Sequence, residues 1–280
     1  MQKSISEISI LKNASLDGIE CKSALFLNRK FPVHFHNEWS ITVIKEGSEL
    51  ELIANQEFLI STGTVIITPP YVPHATLGLE NSYWKYISLY IKIDFVKHVL
   101  NNNGADYNYF AQKPYIIMKD YNTANLIKNI SESMDDNKKL ENYITNVFNN
   151  LCADYKSNDF STHDKHFKIE YLEEIKNILT NNFKDKIILY DFCKKYKTNK
   201  FNILRKFKNY TGLTPWEYTI SLRLEYAKQM ILDCPSLTDL AFESGFYDQS
   251  HFNKYFKKYL GVSPSEYKRN LQYFTSRDIQ

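Results

Sequence analysis

Hydrophobic residues change their period along this chain of 280 residues. From about Cys21 to Ile93 they fall in short blocks, Ser40 to Lys45, Glu49 to Ala54, Glu57 to Ile60 and Thr64 to Thr68, separated by Gly47, Asn55 and Gly63. Blocks of that length bounded by turn residues predict strands, and together an all-β sandwich or barrel. Pro69 and Pro70 cannot donate to a ladder, so they belong at an edge or in a loop. Past about Asn122 the spacing becomes three and four: Leu126, Ile127 and Ile130, then Tyr143, Ile144, Val147, Phe148 and Leu151. This predicts two amphipathic helices. Ser157 to Asp164 is polar and aperiodic and reads as a linker. Everything beyond it has a helical pattern. The expected division is a barrel over 1–121, a helical pair over 122–156, a linker over 157–167 and an all-α domain over 168–280, an α+β multidomain chain.

The helical part contains a repeat. Phe207-Lys208-Asn209-Tyr210-Thr211-Gly212-Leu213-Thr214-Pro215-Trp216-Glu217-Tyr218 recurs 49 residues later as Phe256-Lys257-Lys258-Tyr259-Leu260-Gly261-Val262-Ser263-Pro264-Ser265-Glu266-Tyr267. In each copy glycine can end a helix in the left-handed conformation. Thr214 or Ser263 then caps the next helix, proline takes its first position and Glu217 or Glu266 closes a capping box. Upstream, Leu189 to Cys193 matches Leu237 to Ala241, followed by a turn and a further cap at Asn199 or Asp248. A short helix, a tight turn and a second helix form a helix-turn-helix unit, whose second helix enters the DNA major groove. With Ile203 and Phe207 buried, Lys200, Phe201, Leu204, Arg205 and Lys208 are left at the exposed face of the first unit. With Phe252 and Phe256 buried, the second leaves Gln249, Ser250, His251, Asn253, Lys254 and Lys257. Gln and Asn suit adenine, and Arg and Lys suit guanine or phosphate. The helix between the units, from Pro215 to about Leu232, spans about 27 Å at 1.5 Å per residue, near the DNA helical repeat.

Charge supports this division. The first 160 residues carry 15 Lys and Arg against 18 Asp and Glu, and the last 120 carry 20 against 14. The excess of +6 in the helical part suits a polyanion. A hydrophobic fraction of 43% with only 8 Gly and 8 Pro excludes disorder and fibrous repeats. Cys21, Cys152, Cys193 and Cys234 are too widely spaced for a zinc knuckle and fit a reducing compartment. No apolar stretch suggests an export signal or a membrane span, so a cytoplasmic location is expected.

Over about residues 168 to 270 the chain resembles the AraC/XylS family of bacterial transcription factors. Arg223-Leu224-Glu225-Tyr226-Ala227-Lys228 resembles that family's linker-helix signature. Gly245-Phe246-Tyr247-Asp248-Gln249-Ser250-His251-Phe252, with Phe256-Lys257-Lys258 and Gly261-Val262-Ser263-Pro264, resembles its second unit. Cys193, Lys197 and Lys254 depart from residues frequent there. The resemblance implies a double-stranded DNA partner, RNA polymerase as a further partner if the protein is an activator, and a homodimer held by the helices over 122–156, whose apolar stripe otherwise packs on the barrel.

Family members often carry a small β-barrel that binds an effector, and residues 31 to 75 resemble this cupin-like barrel through Pro32 to Glu38 and Gly63 to His74. The effector-binding candidates are His34, His36, Trp39, Tyr71 and His74. Side chains alternate along a strand, so His34, His36 and Glu38 share a face and with His74 offer nitrogen and oxygen ligands. The acid of the enzymatic cupin pattern would fall near Ser40 to Thr42, where there is none. No metal or cofactor is therefore expected, and the histidines read as hydrogen-bonding residues at the barrel mouth. A sequence-specific regulator with a small-molecule sensor explains charge, repeat and spacer together. A metal-dependent cupin enzyme with a helical accessory domain explains only the histidines.

Overall fold

The structure, a computed structural model, describes residues 6–13, 16, 18–53, 56–79, 82–102, 106–111, 115–155 and 170–274. The expected linker at 157–167 lies outside the described residues. Strands β1 (Ser6–Asn13), β2 (Ile19–Leu27), β3 (Phe31–His34), β4 (Trp39–Ile53), β5 (Gln56–Ser61), β6 (Thr64–Thr68), β7 (His74–Thr76) and β8 (Tyr83–Ile91) come first. Helices α1 (Ile93–Asn102) and α2 (Tyr107–Ala111), strand β9 (Ile116–Lys119), and helices α3 (Tyr121–Ser131) and α4 (Asn137–Tyr155) follow. The C-terminal helices are α5 (Glu170–Asn181), α6 (Leu189–Lys195), α7 (Lys200–Thr211), α8 (Pro215–Met230), α9 (Leu237–Glu243), α10 (Gln249–Leu260) and α11 (Pro264–Asn270), before strand β10 (Leu271–Phe274).

Two of the expected strands are one. Residues 40–45 and 49–53 fall in β4, which bends at a register shift between Ile44 and Glu46 and at Gly47, where φ is +77°. A Cβ there would lie 1.9 Å from the Tyr83 carbonyl oxygen, so only glycine lets the chain cross. The bend allows the first half of β4 to pair with β6 and β8 and its second half with β5 and β7. The sheet path runs β10-β1-β2-β8-β4-β6-β9.

The helices α3 and α4 form where the periodicity places them. Ile127, Ile130, Leu140, Ile144, Val147, Phe148 and Leu151 share a core with Trp39, Ile41, Val65 and Leu89 of the barrel. The stripe expected to join two copies is thus buried within its own chain, and the exposed positions of α4 are polar: Lys138, Lys139, Glu141, Asn142 and Asn146.

The repeat builds two helical units with the expected punctuation. Asn199 and Asp248 cap α7 and α10, and Gly212 and Gly261 end them at φ +77° and +92°. Complete capping boxes start α8 and α11. Lys197, at the turn of the first unit, holds φ +47°, where Gly245 of the second holds +83°.

The barrel enters the core of both units. Phe35 packs with Leu172, Ile203, Phe207 and Tyr218 of the first, and Ile10 with Leu224, Phe252, Phe256 and Tyr267 of the second. Burying each such side chain contributes about 1.5–3 kcal/mol. Strand β10 pairs in parallel with β1, Ile10 opposite Leu271. A Cβ at Gly261 would meet the Phe26 ring at 2.7 Å. Gly261→Ala is therefore expected to lower unfolding stability by at least about 1 kcal/mol, from the positive φ and the clash together, read as a lower denaturant midpoint with an unchanged slope.

Candidate functional site

Two surfaces matter: the outward ends of α7 and α10, and a cavity beneath the inward end of α10. Both helices point their C-terminal glycines at the barrel, Gly212 against Pro73 and Gly261 against Phe26 and Phe31, so their N-terminal turns point away from it. On α7, Lys200, Arg205 and Lys208 are exposed, Phe201 is 80% exposed and Leu204 is half-buried. On α10, Ser250, Lys254 and Lys257 are exposed, and Gln249 is half-buried and accepts from the Thr238 hydroxyl at 3.0 Å. His251 and Asn253 sit deeper than their spacing suggested. The His251 ring lies 4.6 Å from Tyr255 and 5.7 Å from Phe246, and its Nδ1, like Asn253 Oδ1, is buried without a partner.

The cavity follows from alternation along β3 and the residues after it. Val33 and Phe35 go to the first helical unit, so His34 and His36 face the other way. His74 lies directly opposite His34 in the β3–β7 ladder. The three rings converge, with centroids 4.5 Å (His34–His74), 5.0 Å (His34–His36) and 5.2 Å (His36–His74) apart. Lys22, Glu49, Glu51, Tyr86 and Tyr90 complete the barrel side, and Tyr259 and Leu260 of α10 form the roof. The cavity is partly open, with a volume of about 70 Å³. That suits a few waters or an ion, against roughly 300–1,000 Å³ for a drug-sized ligand.

Barrel cations hold α10 over the cavity. The last carbonyls of a helix lack partners inside it and carry the negative end of its dipole. Lys22 Nζ donates to the Leu260 carbonyl at 3.1 Å, and Arg29 donates to those of Lys257 and Lys258. Tyr267 donates to buried Glu20 at 2.7 Å.

The second clasp comes from α8. Glu225 Oε1 lies 2.9 Å from His36 Nδ1, and Lys228 Nζ lies 3.7 Å from Glu225 and 3.8 Å from Glu38. Lys228 also sits 4.5 Å above the Tyr90 ring. Burial disfavours the Lys228 charge, but Glu225, Glu20 and Glu38 outweigh it and hold the ammonium above its ordinary range. Glu38 is pushed up to about 7 by burial, against the pull of Lys228. Burial lowers Lys22 to about 8 and raises Glu49 to about 8. Burial also depresses all three histidines, helped by neighbouring histidines and lysines around His34 and His36, which disfavours their charged forms.

Of the five effector candidates, the structure brings His34, His36 and His74 together and leaves two aside. Trp39 is 1% exposed and packs between Tyr107 and Phe148 in the barrel core. Tyr71 is exposed, its ring tilted against Phe35 at 5.4 Å. Glu38 does not join the histidine cluster and pairs with Lys228 instead. Lys22, Glu49, Glu51, Glu225, Lys228 and Tyr259 were invisible as site residues because half of them lie far away in the chain. One signal was present: α8 is apolar on several sides, so it needed neighbours on more than one.

Two family models divide the chain between them: an AraC-like ligand binding domain matches residues 18–147 and a helix-turn-helix domain matches 192–270. An uncharacterized HTH-type transcriptional regulator of Bacillus subtilis, YbfI, is 26% identical over 231 residues, 80% of this chain and 82% of its own. The HTH-type transcriptional activator RhaS of Salmonella schwarzengrund is 21% identical over 247 residues, 85% of this chain and 88% of its own. Among solved structures, ToxT of Vibrio cholerae with bound unsaturated fatty acid shares the fold at a TM-score of 0.57 and 19% identity, covering 97% of each chain. With a ligand-binding barrel and a helix-turn-helix domain in one chain, this protein belongs to the AraC family of transcriptional regulators.

Proposed function

We propose that this regulator reads double-stranded DNA with the N-terminal turns of α7 and α10, and that the cavity under α10 senses a small effector. One observation carries the reading: the helix that offers Lys254 to DNA ends in Tyr259 and Leu260, which roof the cavity. Whatever fills the cavity works directly against the end of a recognition helix. In α7 the supporting residues are Lys200, Phe201, Leu204, Arg205 and Lys208. In α10, Ser250 and Lys254 are best placed, with Gln249 beside them, while His251 and Asn253 contribute mainly to packing.

The effector acts on the closed state. A ligand of only a few atoms fits under α10, whereas a larger one requires α8 and α10 to leave the barrel. ToxT holds a fatty acid, a far larger ligand than the closed cavity of this chain takes. A regulator, not an enzyme, is also favoured by Glu38, the nearest acid to the histidines in sequence, being paired with Lys228. No described helix is long and apolar enough to cross a membrane, which fits a DNA-bound role in the cytoplasm. A homodimer, and RNA polymerase contact if the protein activates as RhaS is named for doing, complete the proposal. With the stripe of α4 buried, a second copy would meet its polar face.

Arg205→Ala and Lys254→Ala are each expected to weaken binding to the protein's own upstream DNA by about 1–3 kcal/mol, without change in thermal unfolding. Binding should also fall steeply with salt. Unchanged footprints, or equal affinity for shuffled DNA, would remove the assignment. For the clasp, Lys228→Met leaves Glu38 and Glu225 buried without a cation and is expected to cost about 3–5 kcal/mol in urea unfolding. Adding Glu38→Gln should restore part of that loss.

A further inference from the structure

We infer that His34, His36 and His74 form a binding site for one divalent transition-metal ion, with Glu225 of α8 orienting His36. This deepens the sensor reading above and rests on it for its regulatory meaning. The sequence pattern argued against a metal because it lacked the acid of the cupin enzymes. The structure supplies a carboxylate from the other domain, placed behind a histidine.

The tautomers are the core of the inference. His34 Nδ1 lies 2.8 Å from the Pro32 carbonyl oxygen and His74 Nδ1 lies 3.0 Å from that of Val72. A carbonyl only accepts, so each Nδ1 carries the proton. His36 Nδ1 donates likewise to Glu225 at 2.9 Å. A neutral imidazole protonated on one nitrogen has its lone pair on the other, so Nε2 is the ligand atom of all three. Metal-bound histidines almost always give their second N–H to a carboxylate or a backbone carbonyl, and here all three do.

The geometry is close to closed. One ring nitrogen from each histidine lies within 4.8 Å of the other two. Tetrahedral zinc bonds of ~2.0–2.1 Å require nitrogens ~3.4 Å apart, so binding an ion draws the three rings together by up to about 1.4 Å. Three imidazoles select zinc, nickel, copper or iron over magnesium or calcium, and they leave a fourth position open to the cavity, whose volume admits an ion and its water. Lys22 lies on the same wall, but its ammonium is engaged by the Leu260 carbonyl, and Lys228 is held by Glu225 and Glu38.

The consequence reaches the DNA-binding domain through one hydrogen bond. An ion pulling His36 inward pulls on Glu225, and with it on α8, the spacer between the two recognition helices.

The test titrates metal-free full-length protein with Co²⁺ and follows the visible absorption of a four-coordinate site, then displaces it with Zn²⁺. One equivalent of cobalt with intense bands is expected. His74→Ala and, as a milder change, His34→Gln should abolish them while circular dichroism stays unchanged. Glu225→Gln should weaken binding by about 10–100-fold, and His98→Ala, at an exposed position of α1, should have no effect. Absence of saturable binding near one equivalent, or undiminished binding in His34→Gln and His74→Ala, overturns the site. Footprinting the same preparations separates the two readings. Protein that reads its upstream DNA but takes up no cobalt overturns the metal site alone. Protein that takes up cobalt but shows no sequence preference overturns the proposed function and leaves the site standing.

Discussion

The docking of α10 and α8 onto the barrel mouth is the constraint on which the remaining features depend. It is built from two kinds of contact of opposite polarity. Lys22 and Arg29 satisfy carbonyls at the negative end of α10, where cations are favoured, and Glu225 and Lys228 of α8 meet His36 and Glu38. Each group is buried or partly buried, so separating the domains removes from each the opposite charge or dipole it now faces. A buried polar network of this kind is costly when partly broken, and the docked arrangement is therefore defined in register as well as in energy. The cavity exists only while that arrangement holds, since its floor belongs to one domain and its roof to the other.

Much of the C-terminal half was legible in the sequence because its signals are local. Gly212, Thr214, Pro215 and Glu217 act within one turn of each other, and so do Gly261, Ser263, Pro264 and Glu266. Reading them needed no knowledge of what lies across the core, and the caps and stops appear where expected, whereas His251 and Asn253 lie deeper than the local pattern implies. In the barrel, periodicity located β5 and β6 but split β4 in two. A glycine at a bend and a glycine at a turn look alike without the partner strand, and the Tyr83 carbonyl that makes Gly47 obligatory is some 36 residues distant in the chain.

The site was only half legible for the same reason. His34, His36 and His74 share one ladder and its adjoining loop, so alternation was enough to group them. Trp39 and Tyr71 were grouped with them as aromatic residues near the histidines, and composition says nothing about which side of a sheet a ring faces. Glu225 and Lys228 stood in a helix read as a spacer. Their spacing of three places both on one face, but the fact that this face meets the barrel is a property of tertiary packing. The departure of Glu38 is instructive: with Lys228 nearby its charge has a better partner than a cluster of neutral rings.

Strand β10 lies beside β1, so the outermost hydrogen-bonding rim of the barrel is completed by the same segment that follows the second recognition unit. The halves are consequently interlaced, not beads on a string. Severing them would strip a β-strand of its neighbour and leave Ile10 facing water, creating an adhesive edge of the sort that recruits foreign strands. Dissection of this protein into separate pieces would thus alter the solubility of the sensing half as well as remove its DNA-reading partner.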